Sequence, residues 1–280
     1  MNRTIKFCLA VVAGVAVLFG TGCDKLKSRD QINRGIQAYK NAKYSEAIDN
    51  FKTAIALDPA NPNAKLYLAT AYMTQWIPGA ESPENNQFAD QAKKELEEVL
   101  AKDPKEKVAL AYLASLSYNQ AGSLQGDAKT AKLDEARDWN MKVIQADPKN
   151  KEAYYLLGVI AWSKWYPALG KARAELGMKP EDPGPIKDKK VKEELKTKYA
   201  SVIDEGIQNL QKALEVDPEY DDAMAYLNLL IRERADLADT PQQYKEQTKV
   251  ADDWVQKSLE TKKKKAARQP GAIGITQESK

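Results

Sequence analysis

A pair of small or β-branched apolar positions followed by Asp-Pro recurs at four places along the chain: Ala54–Pro59 (AIALDP), Val99–Pro104 (VLAKDP), Val143–Pro148 (VIQADP) and Ala213–Pro218 (ALEVDP). The apolar positions predict an inward-facing helical stripe. Proline lacks an N–H and disfavours helical geometry at the residue before it, so each stretch is predicted to be the closing turn of a helix, with the next helix beginning a few residues later. The prolines stand 45, 44 and 70 residues apart, and a stop signal at that period predicts an array of helical repeats.

Around the first closure, Gly35, Tyr39, Tyr44, Ala47, Phe51, Ala54 and Pro59 are small, aromatic or helix-breaking where two antiparallel helices must touch. The order resembles a tetratricopeptide repeat (TPR), whose unit is about 34 residues. Leu68, Ala69, Tyr72, Ala92, Leu96 and Val99 match it in a second unit, and Leu113, Ala114, Ala136 and Val143 in a third. A fourth carries Tyr154, Leu157, Gly158, Gly206, Leu210 and Ala213, and a fifth Ala223, Tyr226, Leu227, Leu230, Tyr244, Trp254 and Leu259. The resemblance implies an all-α fold, a right-handed α-solenoid of about five TPR-like helix pairs with enlarged turns inside the repeats. The expected solenoid covers 28–262, with units near 28–61, 62–106, 107–150, 151–220 and 221–262. Relative to the repeat length, 11, 10 and 36 residues are added to the second, third and fourth units. The largest addition, 163–200, is expected to hold Tyr166-Pro167, a short helical piece ending near Gly177, the turn-rich stretch 179–185, and then a helix from about Lys187 that projects past its neighbours. Capping boxes are expected at Ser28–Gln31 and Thr240–Gln243, and an aspartate cap at Asp221-Asp222.

The N-terminus carries a different pattern. Arg3 and Lys6 precede a thirteen-residue apolar run, Phe7–Phe19, and Thr21-Gly22-Cys23 follows. This resembles a bacterial lipoprotein signal over 1–22. It implies that Cys23 is diacylated, anchoring the protein to a membrane of the cell envelope and facing it to the periplasm; an ordinary cleaved signal with a free thiol is the other reading. Residues 23–27 are expected to be a linker of roughly 14 Å when extended, and 263–280 a basic and then disordered tail.

Composition narrows the chemistry. The 280 residues include 43 lysines and arginines and 40 aspartates and glutamates, interleaved for a net charge of +3, which argues against a nucleic-acid-binding face. There is no histidine, and the only cysteines are Cys8 and Cys23. The commonest general base and metal ligand are therefore missing, and no nucleophile elbow or phosphate loop occurs. No catalytic residue, metal or cofactor is expected.

Projecting the TPR pattern places Tyr39, Met73, Tyr118, Trp162 and Arg232 at one equivalent groove-facing position, with Tyr155 and Asn119 beside it and Trp165 and Tyr166 clustered with Trp162. Aromatics at helical spacing are otherwise core residues. The resemblance implies a membrane-anchored scaffold that binds other envelope proteins or their peptide segments during complex assembly. The alternatives are a ligand-binding protein or enzyme using the insertions, and a self-associating structural protein.

Overall fold

The computed structural model describes residues 23–80, 82–179 and 181–268; the expected leader 1–22, Glu81, Pro180 and the end of the expected tail, 269–280, lie outside the described residues. The fold is all-α, with no strand among the described residues. Ten α-helices follow in order among the described residues: α1 (23–40), α2 (Tyr44–Leu57), α3 (Pro62–Gln75), α4 (Pro83–Lys102), α5 (Lys107–Ala121), α6 (Gly126–Ala146), α7 (Lys151–Glu175), α8 (Lys189–Val216), α9 (Asp221–Arg234) and α10 (Pro241–Arg268). They form TPR-like hairpins in two compact units divided between Gln125 and Gly126.

The four Asp-Pro closures share one hydrogen-bonding scheme. The aspartate N–H of Asp58, Asp103, Asp147 and Asp217 donates to Ala54, Val99, Val143 and Ala213 O at 2.7–2.9 Å, and the aspartate carbonyl accepts from the N–H three residues on at 3.0–3.1 Å. Proline stands at the one position of this turn where no donor is needed. Asn61, Glu106 and Asn150 then cap α3, α5 and α7 with their side chains.

In the first unit, the α1–α2 contact depends on Gly35: a Cβ there would overlap the ring of Phe51. Ala47, Ala54, Ala64 and Ala92 are fully buried and let neighbouring helices approach closely, while Phe51, Leu68 and Tyr72 fill the space between them. The expected linker at 23–27 is instead helical, and Ser28 does not cap. Its hydroxyl is buried and donates to Ala54 O at 2.8 Å, using the last turn of α2 as its partner. The second unit's added residues form the turn that begins at 76–80 and lengthen α4 to 20 residues. Asn85 closes that turn by accepting from Ile77 N–H at 2.7 Å and donating to Ile77 O and Ala80 O, each at 2.9 Å.

The expected repeat at 107–150 is divided. α5 belongs to the first compact unit, while α6 packs on α7 in the second. There α7 and α8 reach 25 and 28 residues and lie along one another. Gly158 permits the contact, since a Cβ would meet Leu210. The helix pair corrects two expectations. Pro167 sits inside α7 without ending it, so no separate helical piece forms, and α8 does not project alone because α7 grows with it. Trp165, Leu169 and Ala172 on the added turns of α7 share a core with Ile186, Leu195, Ile203 and Leu237.

Asp221 and Asp222 do not cap α9, whose N-cap is Tyr220 with no side-chain bond. Asp221 is buried; it pairs with Lys265, and its carbonyl accepts from Ser258 Oγ at 3.0 Å. The Thr240 box forms as expected: Gln243 N–H donates to Thr240 Oγ1 at 3.2 Å and Thr240 N–H to Gln243 Oε1 at 3.3 Å. Residues 263–268, expected as tail, continue α10, and Arg268 reaches Glu219 at 2.7 Å.

Candidate functional site

On α7, Tyr155, Trp162 and Tyr166 follow one another at spacings of seven and four and therefore share a face. Tyr226 on α9 and Tyr220 before it stand against that face. The rings form a continuous row: Tyr220 lies 5.1 Å from Tyr155, Tyr155 5.5 Å from Tyr226, Tyr226 5.7 Å from Trp162, and Trp162 4.9 Å from Tyr166, the last two stacked. Four of the rings are half-buried and Tyr166 is 47% exposed, so the row has one free end. At the other end burial pushes the Tyr220 phenol up to about 12, with Glu152 and Asp222 adding to it. That hydroxyl stays protonated across the physiological range and can donate a hydrogen bond.

The exposed end opens on a cavity of about 500 Å³ between α7, the connection 176–188, the end of α9 and the start of α10. Tyr166, Leu169, Ala174 and Met178 supply its apolar wall, and Tyr244 adds a second ring. Its polar wall is built by Arg173, which is 8% exposed. The guanidinium donates to Asp236 Oδ2 at 2.6 Å, to Lys179 O at 2.8 Å and to Asp182 O, holding the connection against the 3-10 turn (Ala235–Leu237) that follows α9. Ile186 N–H adds a bond to Asp236 O at 2.9 Å. Burial pushes the Asp236 carboxyl up, against the pull of Arg173.

Glu233 lies one turn from Asp236 and lines the same cavity. Trp162 Nε1–H donates to its Oε1 at 3.0 Å, while its Oε2 and Arg173 Nε are withdrawn from solvent without a hydrogen-bond partner. Burial raises the Glu233 carboxyl to about 7, opposed by the Trp162 bond and reinforced by Asp236. A carboxyl in that position changes charge near neutral pH.

Of the expected groove residues, Tyr155, Trp162 and Tyr166 come together in the row, and Arg232 lines the cavity while bonding Asn228 and, at 2.6 Å, Asp252. Trp165 does not join them. It is completely buried and packs 5.6 Å from Tyr199, because its place on α7 turns it toward α8. In the first unit, Tyr39 donates to or accepts from Thr74 Oγ1 at 2.8 Å and packs edge-on against Tyr44. Met73 packs against the cluster of Trp76, Ala89 and Leu116, and Tyr118 and Asn119 are half-buried, with Asn119 Nδ2 bonded to Ser115 Oγ at 3.4 Å. Sequence reasoning missed Arg173, Glu233, Asp236, Tyr220 and Tyr226. Glu233 could have been found: it is seven residues after Tyr226, so it falls on the same face of α9.

Cys23 is exposed with a free thiol. Among the described residues, no cluster of three metal-ligating side chains occurs, and no helix is long and apolar enough to cross a membrane.

A tetratricopeptide-repeat family model matches residues 32–75, from α1 to the end of α3. No curated protein sequence matches significantly. Among solved structures, the crystal structure of a MamA protein is 15% identical, with 88% of this chain and 98% of that chain covered and a TM-score of 0.52. A MamA fragment from Desulfovibrio magneticus RS-1 is 18% identical, with 85% and 96% covered and a TM-score of 0.52. A MamA RS-1 double mutant is 17% identical, with 86% and 97% covered and a TM-score of 0.53. These similarities establish the TPR-like fold.

Proposed function

We propose that this chain is a non-catalytic scaffold, anchored by a lipid on Cys23 and facing the periplasm, that binds segments of other envelope proteins. The observation that carries the reading is the aromatic row on α7 and α9. Five adjoining rings place large amphipathic surfaces in one line, and Tyr166 leaves its end open to a partner. Tyrosine and tryptophan dominate protein-binding hot spots because they bury much area at little conformational cost. TPR folds hold peptides on their first helices, and the row lies on the first helices of its two pairs.

The test is a photo-crosslinking amino acid in place of Tyr166, compared with one in place of the exposed Lys198 on α8. Discrete protein adducts at 166 that disappear in Trp162→Ala, with an affinity loss of roughly 2 kcal/mol for the captured partner, are expected. Equal adducts at both positions, or adducts indifferent to Trp162, would refute the row as the binding face. The anchor is checked by labelling cells with an alkyne fatty acid: the wild-type chain should take the label and Cys23→Ser should not.

A further inference from the structure

We propose that the cavity beside Arg173 and Glu233 is a binding site for a cationic group, an ammonium or guanidinium carried on an aliphatic stem. This goes beyond the reading of the aromatic row and does not depend on it, since the cavity can take a cation whether or not a peptide lies along the rings.

The argument rests on which charges in the wall are already satisfied. The wall contains two arginines and four acids. Arg173 is committed through its two terminal nitrogens to Asp236 and to two backbone carbonyls, its Nε alone lacking a partner, and Arg232 to Asp252 and Asn228. Asp182 accepts from Lys179 N–H at 2.7 Å, and Glu181 is exposed. Glu233 is left with an indole N–H on one oxygen and nothing on the other. The wall is therefore short of positive charge at Glu233, and an anion entering there would meet Asp236 as well.

The remaining surfaces suit the rest of such a ligand. Leu169, Ala174 and Met178 can pack along methylenes, and the faces of Tyr166 and Tyr244 attract a cation electrostatically. A volume of about 500 Å³ is within the range of small-ligand pockets. The charged and titratable groups that line the cavity with Glu233 are Tyr166 and Arg173 on α7, Glu181 and Asp182 on the connection, Arg232 on α9, Asp236 on the 3-10 turn and Tyr244 on α10, and Trp162 donates to Glu233 itself. Among them Arg173 and Arg232 are cationic, and their charges are met by Asp236 and Asp252. Because burial holds the free Glu233 carboxyl near pH 7, a cation that favours its ionised form must displace a proton below that pH. Binding should then strengthen about tenfold from about pH 6 to about pH 8.

The shared chemistry has two sources, a lysine side chain of a polypeptide or a free amine. The full chain in detergent is titrated calorimetrically with Nα-acetyl-lysine methylamide, with cadaverine, and with the uncharged Nα-acetyl-norleucine methylamide. At least about tenfold tighter binding of a cation than of norleucine is expected, with proton release seen as a dependence of the heat on buffer ionisation. The lysine derivative binding alone identifies a polypeptide source, and cadaverine binding alone a free amine. Glu233→Gln should lose about tenfold in affinity and all proton release, whereas Glu233→Asp should keep both in part. Norleucine binding as well as lysine, or Glu233→Gln binding like wild type, overturns the site. The wild-type comparison stands even if a variant fails to fold.

Discussion

Two connections in this protein are held by the same device and end differently. The turn 76–80 is fixed by Asn85, 7% exposed, which bonds Ile77 N–H, Ile77 O and Ala80 O and leaves none of its own capacity stranded. The connection 176–188 is fixed by Arg173, which binds two loop carbonyls and Asp236 but keeps a buried Nε without a partner, beside a glutamate in the same condition. A neutral amide can match a tight turn completely. A guanidinium brings five donors and a charge, and the surplus is what gives the second loop its chemistry. Enlarging a repeat is therefore not sufficient to create a site; the polar balance of the enlargement decides.

The comparison can be broken most severely at Arg173. Arg173→Met strands a buried Asp236 and frees the connection, and should cost about 4 kcal/mol in urea denaturation; a loss under about 1 kcal/mol would mean that the loop is held by its apolar contacts alone. Glu233→Gln should act in the opposite direction. A carboxyl raised from 4.5 to about 7 on folding leaves the protein's stability intact below about pH 4.5, and the stability falls as pH rises through 7. Removing the ionisable group should therefore raise stability at about pH 8 by up to about 3 kcal/mol and have little effect at about pH 4. A pH-independent change would show that Glu233 is not withdrawn from water. Asn85→Ala should cost about 2 kcal/mol by leaving turn groups unpaired, without changing any ligand heat measured at the cavity. The smallest effect is expected at Thr240→Ala, which opens the cap of α10 for about 1 kcal/mol; measured by thermal unfolding, it gives the scale of a local bond that supports neither connection.

The helices were legible where a residue type has one physical use. Asp-Pro after a helical apolar stripe closes a helix at four places, and Gly35 and Gly158 stand where helices meet, so the hairpins could be read from the chain. Ser28 and Asp221 show the limit. Ser28 looked like a cap because Gln31 follows at capping-box spacing, and Asp221 because it precedes an apolar run, yet tertiary partners claimed them: Ala54 O took the Ser28 hydroxyl and Lys265 took Asp221. Pro167 was misread for a related reason, since the packing of Trp165 and Leu169 against α8 holds α7 together through the break. The aromatic row was half visible. The projected TPR pattern identified Tyr155 and Trp162, and nearness in sequence added both Tyr166 and Trp165; only rotation about α7 separates the buried ring from the exposed one. The Arg173–Asp236 pair spans 63 residues and leaves no local pattern.

α1 runs unbroken from Cys23 to Ser28, and the buried Ser28 hydroxyl grips the last turn of α2. Mechanically, this is a stiff arm about 8 Å long with no hinge before its first bolt. A pull on the Cys23 thiol cannot be absorbed by slack chain; it loads the seam between α1 and α2 along its length, in shear, through the Gly35–Phe51 junction. Whatever grips Cys23 thus sets the tilt of the first hairpin directly, and single-molecule stretching from that thiol should meet resistance from the outset of extension.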